Sequence, residues 1–176
     1  MRITLELEPA DIERFLAALA RSHRLALAVD EIDVLAAAKH ALDSLPIGSA
    51  PAYVRKRIVV VQRLILMLEY DAWALPVPER IRLLETLVYF SDPEDLIPDD
   101  IEVIGLLDDA IVLELLLRRQ RHVLQAYADF CDYRRTLGPQ AASAEIHHAC
   151  AQKLARRREA LLARMRRRGE RVLATG

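Results

Sequence analysis

Apolar residues recur every three or four positions along most of this chain, which is the spacing of helices that bury one face. In the longest such run, Val54, Ile58, Val61, Ile65 and Leu68 fall on one side. Prolines and glycines separate the runs and mark the loops between them. The pattern predicts helices over about residues 9–27, 30–45, 52–75, 77–90, 101–135 and 143–172.

One short stretch has a different period. Residues 2–8 alternate between polar and apolar positions, with Ile3, Leu5 and Leu7 on one face, as in a β-strand. A single strand cannot form a sheet, and an unpaired strand edge is seldom left free. We therefore expect this segment to lie along the helices as an extended arm or to pair with its copy in a second subunit.

Together these elements predict an all-α fold: a single-domain helical bundle of about six helices, with a short N-terminal extended strand and a long basic C-terminal helix. We expect a helical domain over residues 1–142 and a basic C-terminal helix over residues 143–176. The densest apolar run, residues 58–68, contains Gln62 and Arg63 and has about half the length that a bilayer span needs. We therefore expect no transmembrane segment.

Composition narrows the class of protein. The chain has 176 residues, of which 53% are hydrophobic and 29% are charged. These values suit a folded domain with a sizeable core rather than a disordered chain. Cys131 and Cys150 are the only cysteines, too few for a disulfide scaffold. Because the sequence also starts without the charged and apolar regions of a secretory leader, we expect a cytoplasmic protein.

The net charge of −1 hides two segments of opposite sign. Residues 153–176 contain nine basic and two acidic residues, whereas residues 83–117 contain ten acidic residues and no lysine or arginine. A basic helix of this kind can dock on the acidic body of its own chain, pair with another subunit, or bind nucleic acid or an anionic membrane. The arginines that we expect to contact phosphates are Arg156, Arg157, Arg166 and Arg167.

The same helix carries a narrow apolar stripe. Leu154, Leu161 and Met165 recur at heptad-like spacing, but Arg158 and Arg168 occupy two positions of the stripe. We expect the stripe to matter for a lipid surface or a partner helix, because both bind an apolar face. Binding of nucleic acid should depend little on this stripe.

The most specific motif lies in the acidic segment. Residues 95–99 spell Asp-Leu-Ile-Pro-Asp, and residues 105–109 begin with glycine and end with two aspartates. This D-L-I-P-D turn, followed by G-x-x-D-D at the start of a helix, resembles the signature of the bacterial YkvA-like family, a domain of unknown function. The resemblance covers roughly residues 2–135, where the chain is similar to a proteobacterial subgroup, and leaves the basic tail largely outside. It implies the fold and no particular reaction.

The first interpretation of this motif is structural. Asp108 shares a helical face with apolar residues and therefore points toward the core, where a carboxylate needs a partner. Backbone N–H groups of the 95–99 turn would supply that partner, while Asp92 and Asp99 would cap short helical turns. The residues of this structural or binding motif are Asp92, Asp95, Pro98, Asp99, Gly105, Asp108 and Asp109.

The second interpretation is a metal site. Asp95, Asp99, Asp108 and Asp109 would bind Mg²⁺ or Ca²⁺, since these cations prefer oxygen ligands. A hydrolase-like reaction at such a metal would also need a nucleophile or a base, and the sequence offers no convincing one. No cofactor is expected if the structural interpretation is correct.

Other signatures of catalysis are missing from the sequence. It contains no nucleophile elbow, no P-loop and no dinucleotide-binding glycine motif. We therefore favour a non-enzymatic helical interaction or adaptor protein of unknown pathway, which self-associates and binds an unknown protein partner. The alternatives are the metal-dependent site at the aspartates and polyanion binding through the basic tail.

Overall fold

The computed structural model describes residues 9–45, 51–91, 113–137 and 144–174 of the chain. Nearly all of these residues are helical, which confirms the predicted all-α class. The helices are α1 (Pro9–Ala28), α2 (Glu31–Ser44), α3 (Ala52–Glu69), α4 (Val77–Phe90), α5 (113–119), α6 (Arg121–Thr136) and α7 (Ala144–Ala174). The strand predicted over residues 2–8 lies outside the described residues.

The apolar spacing identified the buried faces of α3 and α4, but it did not identify every buried position of α1 and α2. All five residues predicted to line the inner side of α3 are buried, as are Leu84, Leu87 and Val88 of α4. Leu16 of α1 and Ile32 in the first turn of α2, which both fit the helical spacing, are instead 57% and 79% exposed. None of the described helices is both long and apolar enough to cross a bilayer.

The third helix ends earlier than the pattern predicts. It stops at Glu69 rather than near residue 75, and a short 3₁₀ turn follows over Asp71–Trp73. Ala74 then adopts the left-handed conformation with φ 48°, and Pro76 disfavours a helical conformation at the residue before it. Because Trp73 and Leu75 are buried, the apolar pattern continues past the true end of the helix.

A turn at Gln120 divides the helix predicted over residues 101–135. Within the described part, α5 ends before this residue and α6 begins after it. The Gln120 carbonyl accepts hydrogen bonds from the backbone N–H groups of Val123 and Leu124 at 2.9 and 3.1 Å, so it starts the new helix. The first part of the predicted helix, residues 101–112, lies outside the described residues.

The chain forms two compact units. The first comprises residues 1–65 and 77–117, and the second comprises residues 66–76 and 118–176. In the first unit, α4 packs against α1 and α2. Arg80 of α4 donates two hydrogen bonds to the Glu31 carboxylate at the start of α2. The predicted division between residues 142 and 143 stays a prediction.

The second unit is built from α6 and α7, which pack together. Its core contains Trp73 and Phe130, both fully buried, with ring centroids 5.0 Å apart. Tyr127 meets the Trp73 ring edge-on at 5.8 Å. Trp73 is therefore a core residue of this unit rather than an exposed stacking surface.

Candidate polyanion-binding face

The aspartate motif lies outside the described residues, so its structural and metal-binding interpretations both stay predictions. This applies to Asp92, Asp95, Pro98, Asp99, Gly105, Asp108 and Asp109. In the part of the chain that the structure describes, no three His, Cys, Asp or Glu side chains are grouped so that they could hold a metal ion.

The helix that follows the motif is held in the first unit by a charged contact. Arg57 of α3 donates a hydrogen bond to the carboxylate of Glu114 in α5, and both side chains are mostly buried. Leu113 and Leu117 bury the apolar side of the same helix. The described contacts of α5 are therefore structural.

The apolar stripe of α7 faces α6. Leu161 and Met165 are buried at 2% and 0% exposure, and Gly169 continues the buried line one turn later. A Cβ atom at Gly169 would lie 3.0 Å from Nε2 of His122 in α6, so this glycine allows the close approach. The stripe therefore packs within the chain, against α6, whereas docking on the acidic segment stays a prediction.

Three arginines on one flank of α7 also contact α6. Arg164 forms an ion pair with Asp129, and Arg168 donates a hydrogen bond to Oε1 of Gln125 at 2.9 Å. The guanidinium group of Arg157 lies 5.5 Å from the ring centroid of Tyr133, within the range of a cation–π contact.

The two arginines that interrupt the stripe therefore have defined partners. Arg168 contacts Gln125, and Arg158 donates a hydrogen bond from Nη1 to the carbonyl oxygen of Ala72 at 3.3 Å. A long side chain can lie along apolar surface while its charged end reaches a polar group. Both residues are compatible with a buried stripe for this reason.

Other basic residues of α7 face away from α6. Arg156, Arg166 and Arg167, three of the four arginines predicted to contact phosphates, are exposed. Within the described residues they have no hydrogen bond, ion pair or ring contact, and the same holds for the exposed Lys153. Arg157 differs from these three because of its contact with Tyr133.

The spacing of these residues defines a surface. Arg156 and Arg167 are eleven residues apart, which is three helical turns, so they share one face about 16 Å apart along the axis. Lys153 precedes Arg156 by one turn, and Ala160 and Ala163 lie between the basic positions. We call these five residues, with Arg166 at the edge, the outer face of α7.

The second unit as a whole is basic. It contains fourteen lysines and arginines against seven acidic residues, a net charge of +7, whereas the first unit carries −8. Asp129 neutralises only Arg164 among the arginines that contact α6, so the outer face lies in a positive local potential. Such a potential attracts polyanions and is weakened by salt.

Sequence reasoning did not identify the partners on α6. Asp129, Gln125 and Tyr133 contact α7, but no local pattern connects them with it. The sequence does carry a signal for Gly169, since a glycine inside a helical pattern often marks a position where another element packs closely against the helix. Lys153 belongs to the basic segment but not to the set of arginines predicted to contact phosphates.

Comparison with known proteins identifies one short region. Residues 80–115 match the family described as "Protein of unknown function (DUF1232)". The match begins in α4, ends in α5 and includes the aspartate motif between them, so it lies in the first unit. Comparisons with curated proteins and with solved structures find no match.

Proposed function

We propose that this protein works by binding rather than by catalysis, as a helical interaction protein, and that the outer face of α7 binds a phosphate-rich polyanion. The observation that supports this is the division among the arginines of α7. Those facing α6 have partners, whereas Arg156, Arg166 and Arg167 have none among the described residues. An arginine without a partner keeps all its donors available for a phosphate.

Nucleic acid suits this face better than an anionic membrane does. A helix that lies in a membrane interface inserts large apolar side chains beside its basic ones. In α7 those side chains, Leu161 and Met165, are buried, and the outer face offers only Ala160 and Ala163. Phosphate contacts to nucleic acid need no apolar side chains, because affinity comes from neutralised charge and released counterions.

The test is the salt dependence of binding to fluorescein-labelled duplex DNA, measured by anisotropy. If three arginines contact phosphates, affinity should fall roughly 40-fold between about 50 and 200 mM salt. The combined variant Arg156→Gln, Arg166→Gln, Arg167→Gln should lower the slope of log affinity against log salt by about 3.

A matched control removes the same charge elsewhere. Arg55, Lys56 and Arg63 are exposed on α3 in the first unit and have no partner among the described residues. Changing all three to glutamine should leave the slope unchanged. Equal losses in both variants would show a response to net charge alone, and tighter binding to phosphatidylserine vesicles than to DNA would favour the membrane; either result contradicts the proposal.

Self-association is a second candidate, favoured by an apolar patch in the first unit. Leu27, Val29 and Ile32, around the turn between α1 and α2, are 59%, 39% and 79% exposed. Arg24 and Asp33 beside them are exposed and have no partner among the described residues. A twofold interface could therefore bury the patch and pair each Arg24 with Asp33 of the other copy.

We further infer a cytoplasmic location and a relationship to the YkvA-like family that is wider than the matched residues. The free, half-buried thiols of Cys131 and Cys150 support the location, because reduced cysteines suit a reducing compartment. The D-L-I-P-D and G-x-x-D-D motif inside the matched region supports the relationship.

A further inference from the structure

We propose that the polyanion bound by the outer face of α7 is double-helical nucleic acid, contacted through phosphates of both strands across a groove. This inference rests on the proposed function and adds the form of the nucleic acid. It follows from the aromatic residues of the second unit and from the spacing along α7.

The aromatic residues argue against a single strand. Proteins that bind single strands without sequence preference stack the bases on exposed aromatic rings. In the second unit Trp73 and Phe130 are fully buried, and the Tyr127 ring lies edge-on against Trp73. The Tyr70 and Tyr133 rings each have an arginine guanidinium group over them. No other Phe, Tyr or Trp occurs in this unit, so each of these rings is buried, packed against another ring or covered on one face by an arginine.

The spacing along α7 argues for two strands. Arg156 and Arg167 lie about 16 Å apart on one face of a continuous helix. The major groove of a DNA duplex is about 12 Å wide between its walls, a span that two extended arginine side chains can match. Because both residues belong to one helix, the distance between them is fixed. Such a pair suits two phosphates on opposite sides of a duplex groove, whose distance is also fixed.

The centre of the face supports a close approach. Ala160 is exposed and Ala163 is half-buried midway between the two arginines. Small side chains there let the helix backbone come near the groove while the flanking arginines reach both phosphate rows. A large side chain at Ala160 should block this approach without disturbing the buried contacts with α6.

The experiment compares Ala160→Trp with the unmodified protein on a labelled DNA duplex of about 20 base pairs and on one of its strands. At about 3.4 Å per base pair, this duplex is longer than α7. We expect Ala160→Trp to weaken duplex binding by about 3- to 10-fold. Single-strand binding should be unchanged or tighter, because an added aromatic ring can stack on bases.

The matched control is Ala37→Trp, which places the same side chain on the exposed side of α2 in the first unit and should change neither affinity. Circular dichroism of both variants shows whether the helices are intact. The inference is overturned if the single strand binds as tightly as the duplex, or if Ala160→Trp leaves duplex affinity unchanged. Absence of binding to both probes at low salt would instead contradict the proposed function.

Discussion

The arginines of α7 share a residue type and a helix but differ in what their guanidinium groups contact. Arg164 pairs with a carboxylate that, like itself, is about two-thirds buried, whereas Arg167 is exposed without a partner among the described residues. A partly buried ion pair contributes to stability, while a solvated charge contributes little. The two classes should therefore respond differently to the same substitution.

We predict that Arg164→Gln lowers the free energy of unfolding by about 0.5–1 kcal/mol. Arg167→Gln should change it by less than about 0.5 kcal/mol, as for surface substitutions in general. Urea denaturation of the two variants measures both values. Equal losses would show that the contact with Asp129 does not distinguish the two residues.

Tyr127 provides a prediction for alkaline pH. Burial is the larger cause, and a hydrogen bond with Cys131 the next, of the rise in the pKa of Tyr127 from 10.0 to about 12. Because the pKa is higher in the folded state, the stabilisation is fully present below pH 10 and is lost as the pH rises toward 12. A titration of absorbance near 295 nm should show one late tyrosine, which disappears in Tyr127→Phe. A titration identical to that of the variant would contradict the burial of this hydroxyl.

At the residue scale, the sequence predicts which arginines are exposed to solvent. It predicts less readily which arginines have a partner on another helix. The exposure of Arg156, Arg166 and Arg167 agrees with the sequence-based set. The contact of Arg157 with Tyr133 could not be predicted, because it depends on how α6 and α7 are aligned. A helical pattern specifies a face but not the residue that lies opposite it.

At the scale of the helix pair, close packing at Gly169 aligns α7 on α6. We predict that Gly169→Leu lowers the free energy of unfolding by about 1–2 kcal/mol, because the added side chain must displace His122 and overpacking outweighs the gain in helix propensity. Ala160→Leu, on the outer face of the same helix, serves as the control. Equal stability of the two variants in urea denaturation would contradict the packing at this position.

The boundaries of the elements show where periodicity stops being informative. The stripe of Leu161 and Met165 was predicted, and both residues are buried. The end of α3 at Glu69 and the turn at Gln120 were not predicted. Apolar residues continue through both positions, so the pattern does not change where the backbone does.

At the scale of the whole molecule, charge is divided between the two units, at −8 and +7. The charge count along the sequence already showed an acidic middle and a basic tail. It could not show that α6 and the 66–76 segment belong to the same unit as the tail, because that grouping depends on tertiary packing. The aspartate motif remains a sequence-level prediction, since it lies outside the described residues.

Self-association also belongs to this scale. We expect light scattering to report a dimer at high micromolar concentration, because a twofold interface would bury the exposed side chains of Leu27, Val29 and Ile32. Ile32→Lys should shift the protein toward the monomer while leaving its circular dichroism unchanged. Val59→Lys, at an exposed position of α3, is the control. If the unmodified protein is a monomer at this concentration, the proposed dimer is ruled out.

Polyanion binding by particular arginines of α7 can be tested most directly by an NMR titration of arginine side-chain Nε–Hε signals with duplex DNA at low salt. We predict that the signals of Arg156, Arg166 and Arg167 shift on addition of the duplex. The signal of Arg164, held by Asp129, should stay in place. Unchanged signals for the three arginines, or equal shifts for Arg55 and Arg63 of α3, would contradict the account.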